Sequence, residues 1–181
     1  MLRRLPDRAL HPRRRRAAGR RLFRRGSWDR LLILCHGNIC RSPYAAARLR
    51  ALLAEAGRRA PVVDSAGFIG PDRRSPPLAR AVARERGLDL GGHLSALVTT
   101  TRLEEADLIL VMSPAQRRAL RGKFGQPSGK LLVLGDFDPE PIDTRVIRDP
   151  IEKGREAFEQ AFTRIDRCLE EVVRVLTSTG G

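Results

Sequence analysis

Residues 35–43 read Cys-His-Gly-Asn-Ile-Cys-Arg-Ser-Pro, a cysteine and an arginine with five residues between them. A loop of that length, opening from a strand and closing into a helix, curls so that successive backbone N–H groups point inward and form an anion nest. Gly37 takes a backbone conformation that a Cβ would oppose. The helix begun at Ser42-Pro43 aims its positive end at the same spot. Arg41 adds a planar, two-pronged donor for phosphate oxygens. A thiol in such a field is expected to ionise, since helix N-termini and nearby cations bring a cysteine from about 8.5 into a range of about 3.5–7.5. Cys35 is therefore the candidate nucleophile, aimed at bound phosphorus. Ser42 is placed to donate to its sulfur, and later to stabilise the same sulfur as a leaving group. In isolation Cys35 could equally be a small buried hydrophobe ending a strand. The apolar run before it, Gly-Asn inside the loop and Ser-Pro after it point to chemistry instead. A zinc site built on Cys35, His36 and Cys40 lacks a fourth ligand, because only His11, His93 and the distant Cys168 remain as further His or Cys. The pattern asks for no metal and no cofactor.

Elements must carry these residues, and the chain supplies them in alternation. Residues 30–35 (RLLILC) form a continuous apolar run of strand length, the kind buried on both faces in a parallel sheet. A helix is expected from Ser42-Pro43 through Ala56, with Gly57 at its C-terminal cap. Residues 61–65 read as a second strand and 78–86 as a helix ended by Gly87. Residues 107–112 (DLILVM) read as a third strand, after which Ser113-Pro114 starts another helix. A fourth strand follows at 130–134, and 155–176 is a long amphipathic closing helix. The alternation predicts an α/β, flavodoxin-like, three-layer fold with a four-stranded parallel sheet and helices on both faces. In such a fold ligands bind at the carboxyl ends of the strands, where the first strand runs into Cys35.

Transfer of a phosphoryl group from an aryl oxygen to sulfur needs a proton for the leaving group. Hydrolysis of the resulting phosphocysteine needs the same group to take a proton from water. A carboxylate on a loop near the sheet's C-terminal edge would serve both steps. Two Asp-Pro dipeptides qualify, Asp138-Pro139 directly after the fourth strand and Asp149-Pro150 just before the last helix.

Segment 35–43 resembles the signature C-x-G-N-x-C-R-S-P of the low-molecular-weight protein tyrosine phosphatases, with every fixed position present: Cys35, Gly37, Asn38, Cys40, Arg41, Ser42 and Pro43. The similarity continues through Asp64-Ser65-Ala66-Gly67, residues 87–93 and 106–112, and Leu134-Gly135 to Asp149-Pro150, covering roughly residues 30–176. It implies a protein-tyrosine phosphatase in which Cys35 attacks phosphorus and Asp149 is the general acid and base. Arg41 and the loop residues His36, Gly37, Asn38, Ile39, Cys40 and Ser42 would bind the phosphoryl group. Asp138 becomes the minor alternative for the acid, in a surface turn near the site. Asn38 and Ser65 look like the pair that holds the loop in its curl, with His93 joining them. Cys40 resembles a partner for a reversible disulfide with Cys35, the alternative being that it merely packs, as Cys168 does.

Family members selective for phosphotyrosine often carry aromatics after the Asp-Pro, where this chain has Ile151-Glu152. Phe68 and Ile151 are then the candidate substrate walls, Phe68 being equally a core residue. Relatives acting on phosphoarginine tend to have Thr at the position of Ile39, so phosphotyrosine is favoured, and a protein-arginine phosphatase is the alternative on the same scaffold. Arsenate reductases of this scaffold need further cysteines, and none lies between Cys40 and Cys168. The larger tyrosine phosphatases place acid before cysteine, the opposite of the order here. The resemblance implies a phosphotyrosine protein as substrate, with a bacterial tyrosine kinase of polysaccharide export as a possible partner.

The net charge of +14 is uneven. Residues 1–30 carry 12 Arg against Asp7 and Asp29, which is +10 of the total. Residues 1–29 are therefore expected to be a basic, flexible extension, because like-charge blocks repel themselves, and residues 30–181 to be the catalytic domain. Contact with nucleic acid or an anionic membrane through residues 3–25, by counterion release, is the sharper alternative. A transit peptide is a third, though the arm is nearly serine-free. The longest apolar runs, 31–35 and 108–112, fall far short of the roughly 20 residues of a membrane helix. Three cysteines and no signal-peptide pattern point to a reducing compartment, the cytoplasm. Two other classes stay open: a phosphoprotein-binding module without turnover, and a nucleic-acid-associated protein that uses the arm.

Overall fold

The first strand sets the frame. In the computed structural model, which describes residues 6–24, 28–57, 61–126 and 129–178, β1 (Arg30–Cys35) buries every residue after Arg30. It pairs in parallel with β2 (Val62–Gly67) on one side and β3 (Leu108–Val111) on the other, and β4 (Leu131–Val133) pairs with β3. The order β2-β1-β3-β4 is that of a doubly wound sheet. Side chains alternate across it. Leu31, Ile33 and Cys35 enter a core shared with α2 (Arg41–Glu55), α3 (Pro77–Glu85) and α6 (Gly154–Thr177). Leu32 and Leu34 enter a second core with Leu103 of α4 (Thr100–Glu105) and Leu120 of α5 (Pro114–Phe124). Both faces are covered, so β1 has no polar side, and its apolar run follows from that position.

Local chemistry accounts for the helix starts. Ser113 accepts from the Gln116 N–H at 3.2 Å with Pro114 in the first turn. Thr99 caps α4 in the same way through Arg102 N–H; this six-residue helix has too little periodic pattern to be expected from sequence. Residues 134–137 form a 3-10 turn after β4. The closing helix buries Phe158, Phe162, Ile165, Leu169 and Val172 along one stripe, and Phe162 stacks on Tyr44 of α2 with ring centroids 3.7 Å apart.

The N-terminal expectation needs correction. Where a flexible extension was expected, Asp7–Arg24 forms helix α1, with Pro12 inside it. Its buried stripe, His11, Ala18 and Leu22, packs on α6 and the 3-10 turn. The self-repulsion argument counted arginines without their partners: Arg14 pairs with Asp7 at 2.6 Å and Arg15 with Glu171 at 2.8 Å. Trp28 is buried as well, its indole N–H donating to the Leu22 carbonyl. Arg13, Arg16, Arg20 and Arg24 are exposed, and the helical spacing places them opposite the buried stripe. Residues 3–5 and 25 of the stretch considered for nucleic-acid contact lie outside the described residues. Among the described residues no helix is long and apolar enough to cross a membrane.

Candidate active site

Cys35 is the last residue of β1 and Arg41 the first of α2, so the loop between them lies at the carboxyl end of the sheet. The Cys35 Sγ accepts two hydrogen bonds, from the Asn38 N–H at 3.2 Å and from the Ser42 hydroxyl at 3.1 Å.

The curl is held by one fully buried side chain. Asn38 sits at φ +51°, in the left-handed region that Asn tolerates better than most residues. Its Nδ2 donates to Ser42 Oγ at 2.8 Å and to Ser65 Oγ at 2.9 Å, and its Oδ1 accepts from the Ala96 N–H at 2.8 Å. The Asn38 carbonyl accepts from His93 Nε2 at 2.7 Å, which places the imidazole proton on that nitrogen. Thus Asn38, Ser42, Ser65 and His93 come together as expected. Gly67, paired with Cys35 in the sheet, is required by close approach: a Cβ there would stand 2.8 Å from the Asn38 nitrogen and 2.9 Å from the His36 oxygen.

Arg73 escaped the sequence reading. Its guanidinium donates to the carbonyls of Gly37 at 2.8 Å, Ile69 at 3.0 Å and Gly70 at 3.1 Å, bracing the loop from outside. In Asp72-Arg73-Arg74 nothing separates it from ordinary surface charge. The segment it holds is bridged to residues 94–97, and Ile69, Leu94 and Leu97 on these two segments are exposed apolar side chains.

Arg41 is buried. One terminal nitrogen donates to the Ile147 carbonyl at 3.0 Å, and the other pairs with the Asp149 carboxylate. Its Nε is buried and has no hydrogen-bond partner among the described residues. Asp149 therefore reaches the loop, with its side chain 39% exposed. Asp138 does not, and the expected surface turn is corrected: its side chain is 0% exposed and gripped by Arg164 at 2.9 Å and Arg167 at 2.7 Å. Those two arginines make it a structural anchor.

Cys35, Cys40 and Cys168 are free thiols. Burial, with the nearby Cys35 and Asp149 adding to it, pushes the Cys40 thiol up to about 12; burial also pushes Cys168 up. Ile39 and Ile151 are half-buried against the first core and Phe68 against the second, while His36 is exposed. No group of three or more His, Cys, Asp or Glu among the described residues is arranged to hold a metal ion.

Residues 30–179 match the family model described as low molecular weight phosphotyrosine protein phosphatase. The chain is 36% identical over 152 residues to the probable low molecular weight protein-tyrosine-phosphatase EpsP of Ralstonia solanacearum, covering 83% of this chain and 97% of that protein. Among solved structures, the tyrosine phosphatase AmsI of Erwinia amylovora superposes with a TM-score of 0.74 at 29% identity, covering 83% of this chain and 95% of that one. The YwlE arginine phosphatase of Geobacillus stearothermophilus superposes with a TM-score of 0.71 at 25% identity, covering 82% and 93%.

Proposed function

The chain belongs to the low molecular weight phosphotyrosine protein phosphatase family, and on that premise we propose that it hydrolyses phosphotyrosine in proteins through a phosphocysteine intermediate. Cys35 sulfur attacks phosphorus, the bond from phosphorus to the tyrosine oxygen breaks, and Asp149 donates its proton to the departing phenolate. Asp149 then takes a proton from water as the water oxygen attacks phosphorus. The sulfur–phosphorus bond breaks, inorganic phosphate leaves, and the thiolate returns to the Asn38 and Ser42 donors. Arg41 and the loop N–H groups neutralise the equatorial oxygens; catalysis is positioning plus preorganised charge. A phosphate dianion also competes with Asp149 for the Arg41 guanidinium.

The observation that carries this reading is the doubly hydrogen-bonded Cys35 sulfur in a loop whose Arg41 is paired with Asp149. Ile39 supports a tyrosine substrate; likeness to an arginine phosphatase supports phosphoarginine as the second reading. The partner we propose is a phosphotyrosine protein of the cytoplasm, a tyrosine kinase of polysaccharide export among them. The exposed arginines of α1 support separate nucleic-acid contact, to be checked by salt-dependent binding to duplex DNA.

The test is hydrolysis of p-nitrophenyl phosphate, with chelator present, by wild type, Cys35→Ser and Asp149→Ala. Activity should vanish in the first variant and fall about 10²- to 10⁴-fold in the second. Parallel phosphotyrosine and phosphoarginine peptides decide the substrate. Full activity in Cys35→Ser would overturn the mechanism, and no turnover in reduced wild type would leave a binding module.

A further inference from the structure

We infer that α1, which precedes the residues matched by the family, is a positioning element for the acid: through His11 and Asp7 it fixes the loop that presents Asp149. This rests on the reaction proposed above.

The loop from Asp138 to Asp149 is anchored in the first core by the fully buried Ile147, with Ile142 buried as well, and its remaining stretch runs beside an open pocket. A cavity of about 380 Å³ separates it from α6, lined by Ile142, Ile147, Asp149, Ala157, Ala161 and Arg164 among others. Packing of Ile147 fixes one end of the loop, while the stretch beside the pocket is less crowded and is held by discrete ties. Arg164 of α6 donates to the carbonyls of Thr144 at 2.6 Å and Val146 at 2.9 Å. Ile147 N–H donates to the Met112 carbonyl at the end of β3 at 2.9 Å.

Two further ties come from α1. His11 Nε2 donates to the Asp138 carbonyl at 2.8 Å, in a contact where the imidazole is buried. Asp7 Oδ2 accepts from the Arg145 N–H at 3.1 Å while its Oδ1 accepts from Arg14. The Arg145 guanidinium, in turn, makes a two-pronged bond to Asp136 at 2.7 and 2.6 Å. Each tie acts on a backbone atom of the acid loop, so each restricts the main chain that carries Asp149. An acid misplaced by about an ångström loses much of its effect on a proton transfer.

Full-length His11→Ala and Asp7→Ala separate this role from general stabilisation, with His11→Gln as the conservative partner that can still donate. Loss of a positioned acid harms a poor leaving group more than a good one. For phenyl phosphate kcat/KM should fall about tenfold, and for p-nitrophenyl phosphate about threefold or less. His11→Gln should restore most of the loss. Trp28, the single tryptophan, reports through its emission whether α1 is still docked, and amide hydrogen exchange over residues 138–149 should accelerate in both alanine variants. Equal losses on the two esters, or no loss, would overturn the inference and leave the phosphatase reading intact. If wild type hydrolyses neither ester, that reading fails by itself. The exchange data then decide alone, and unchanged protection of 138–149 in both variants would refute the brace. Should His11→Ala fail to fold, His11→Gln and Asp7→Ala carry the same comparisons.

Discussion

The two loops that meet at the site are built by opposite means. The loop from Cys35 to Arg41 is knotted onto itself and its neighbours in the sheet by short bonds, most of them through Asn38. The loop that carries Asp149 is suspended from arginines and from α1 across a cavity. The first is preorganised around a sulfur and an anion, which is what electrostatic stabilisation demands. The second holds Asp149, which in the reaction proposed above changes partners and protonation, and ties at a distance leave it room to do so.

Asn38→Ala is the strongest way to break the first loop. It removes both donors and the acceptor of that side chain and leaves buried partners unpaired, each worth about 1–3 kcal/mol. We expect kcat/KM to fall at least about 100-fold together with a lower midpoint of thermal unfolding; activity within a factor of three would show that the loop holds itself without Asn38.

The two Asp-Pro pairs sharpen the contrast. Asp138→Ala takes the buried carboxylate from Arg164 and Arg167, leaving Arg164 the Thr144 and Val146 carbonyls and Arg167 Glu140, and should cost about 2–3 kcal/mol in urea unfolding. Asp149→Ala, whose carboxylate is 39% exposed but whose partner Arg41 is buried and keeps the Ile147 carbonyl, should cost less, about 1 kcal/mol, while removing most activity. The reverse ranking of stabilities would mean that the two aspartates have been assigned each other's role. Arg73→Ala removes charge-assisted bonds to three carbonyls and should raise KM several-fold with a stability loss of about 1–2 kcal/mol; unchanged KM would show that the outer brace is dispensable.

The smallest effect is the acid sensitivity of α1. For Asp7, burial pushes the carboxyl upward, but hydrogen bonds from Arg14 and the Arg145 N–H and the charge of both guanidiniums outweigh it and hold the group below its usual 3.8. Glu171 is held below 4.5 chiefly by Arg174, with burial opposing and Arg15 adding to the depression. A depressed carboxylate stabilises the fold above its unfolded value and loses that contribution as pH falls through the folded one. Docking of α1 should therefore be flat above about pH 4.5 and weaken below it. A titration of Trp28 emission from pH 6 to 3 checks this; weakening on the alkaline side would contradict it.

Much of the Cys35 loop was legible in the chain. The apolar run of β1 and Ser42-Pro43 at the helix start are local signals; the expectation for Gly37 is corrected, since it has no positive φ and Asn38 takes the left-handed conformation instead, held by partners as distant as Ser65 and Ala96. Ser65 and His93 came from the resemblance and stand where it put them. Arg73 carried no signal, because an arginine that grips carbonyls reads like one that faces water. Asp138 carried a misleading one: Asp-Pro after a strand suggests a turn at the surface, and only the arrival of Arg164 and Arg167 from α6 shows it as a buried anchor. The N-terminal arginines misled in the same way.

What the sequence determined by itself is the alternation of strands and helices and the place of Cys35 at the end of β1, since period and helix-start signals are short-range properties. The tertiary structure decided how α1 docks, which aspartate is buried between arginines and which reaches the Cys35 loop, and what ties the Asp149 loop beside its pocket. Those outcomes depend on which charges meet across the fold, and a charge shows its partner only when the chain has closed around it.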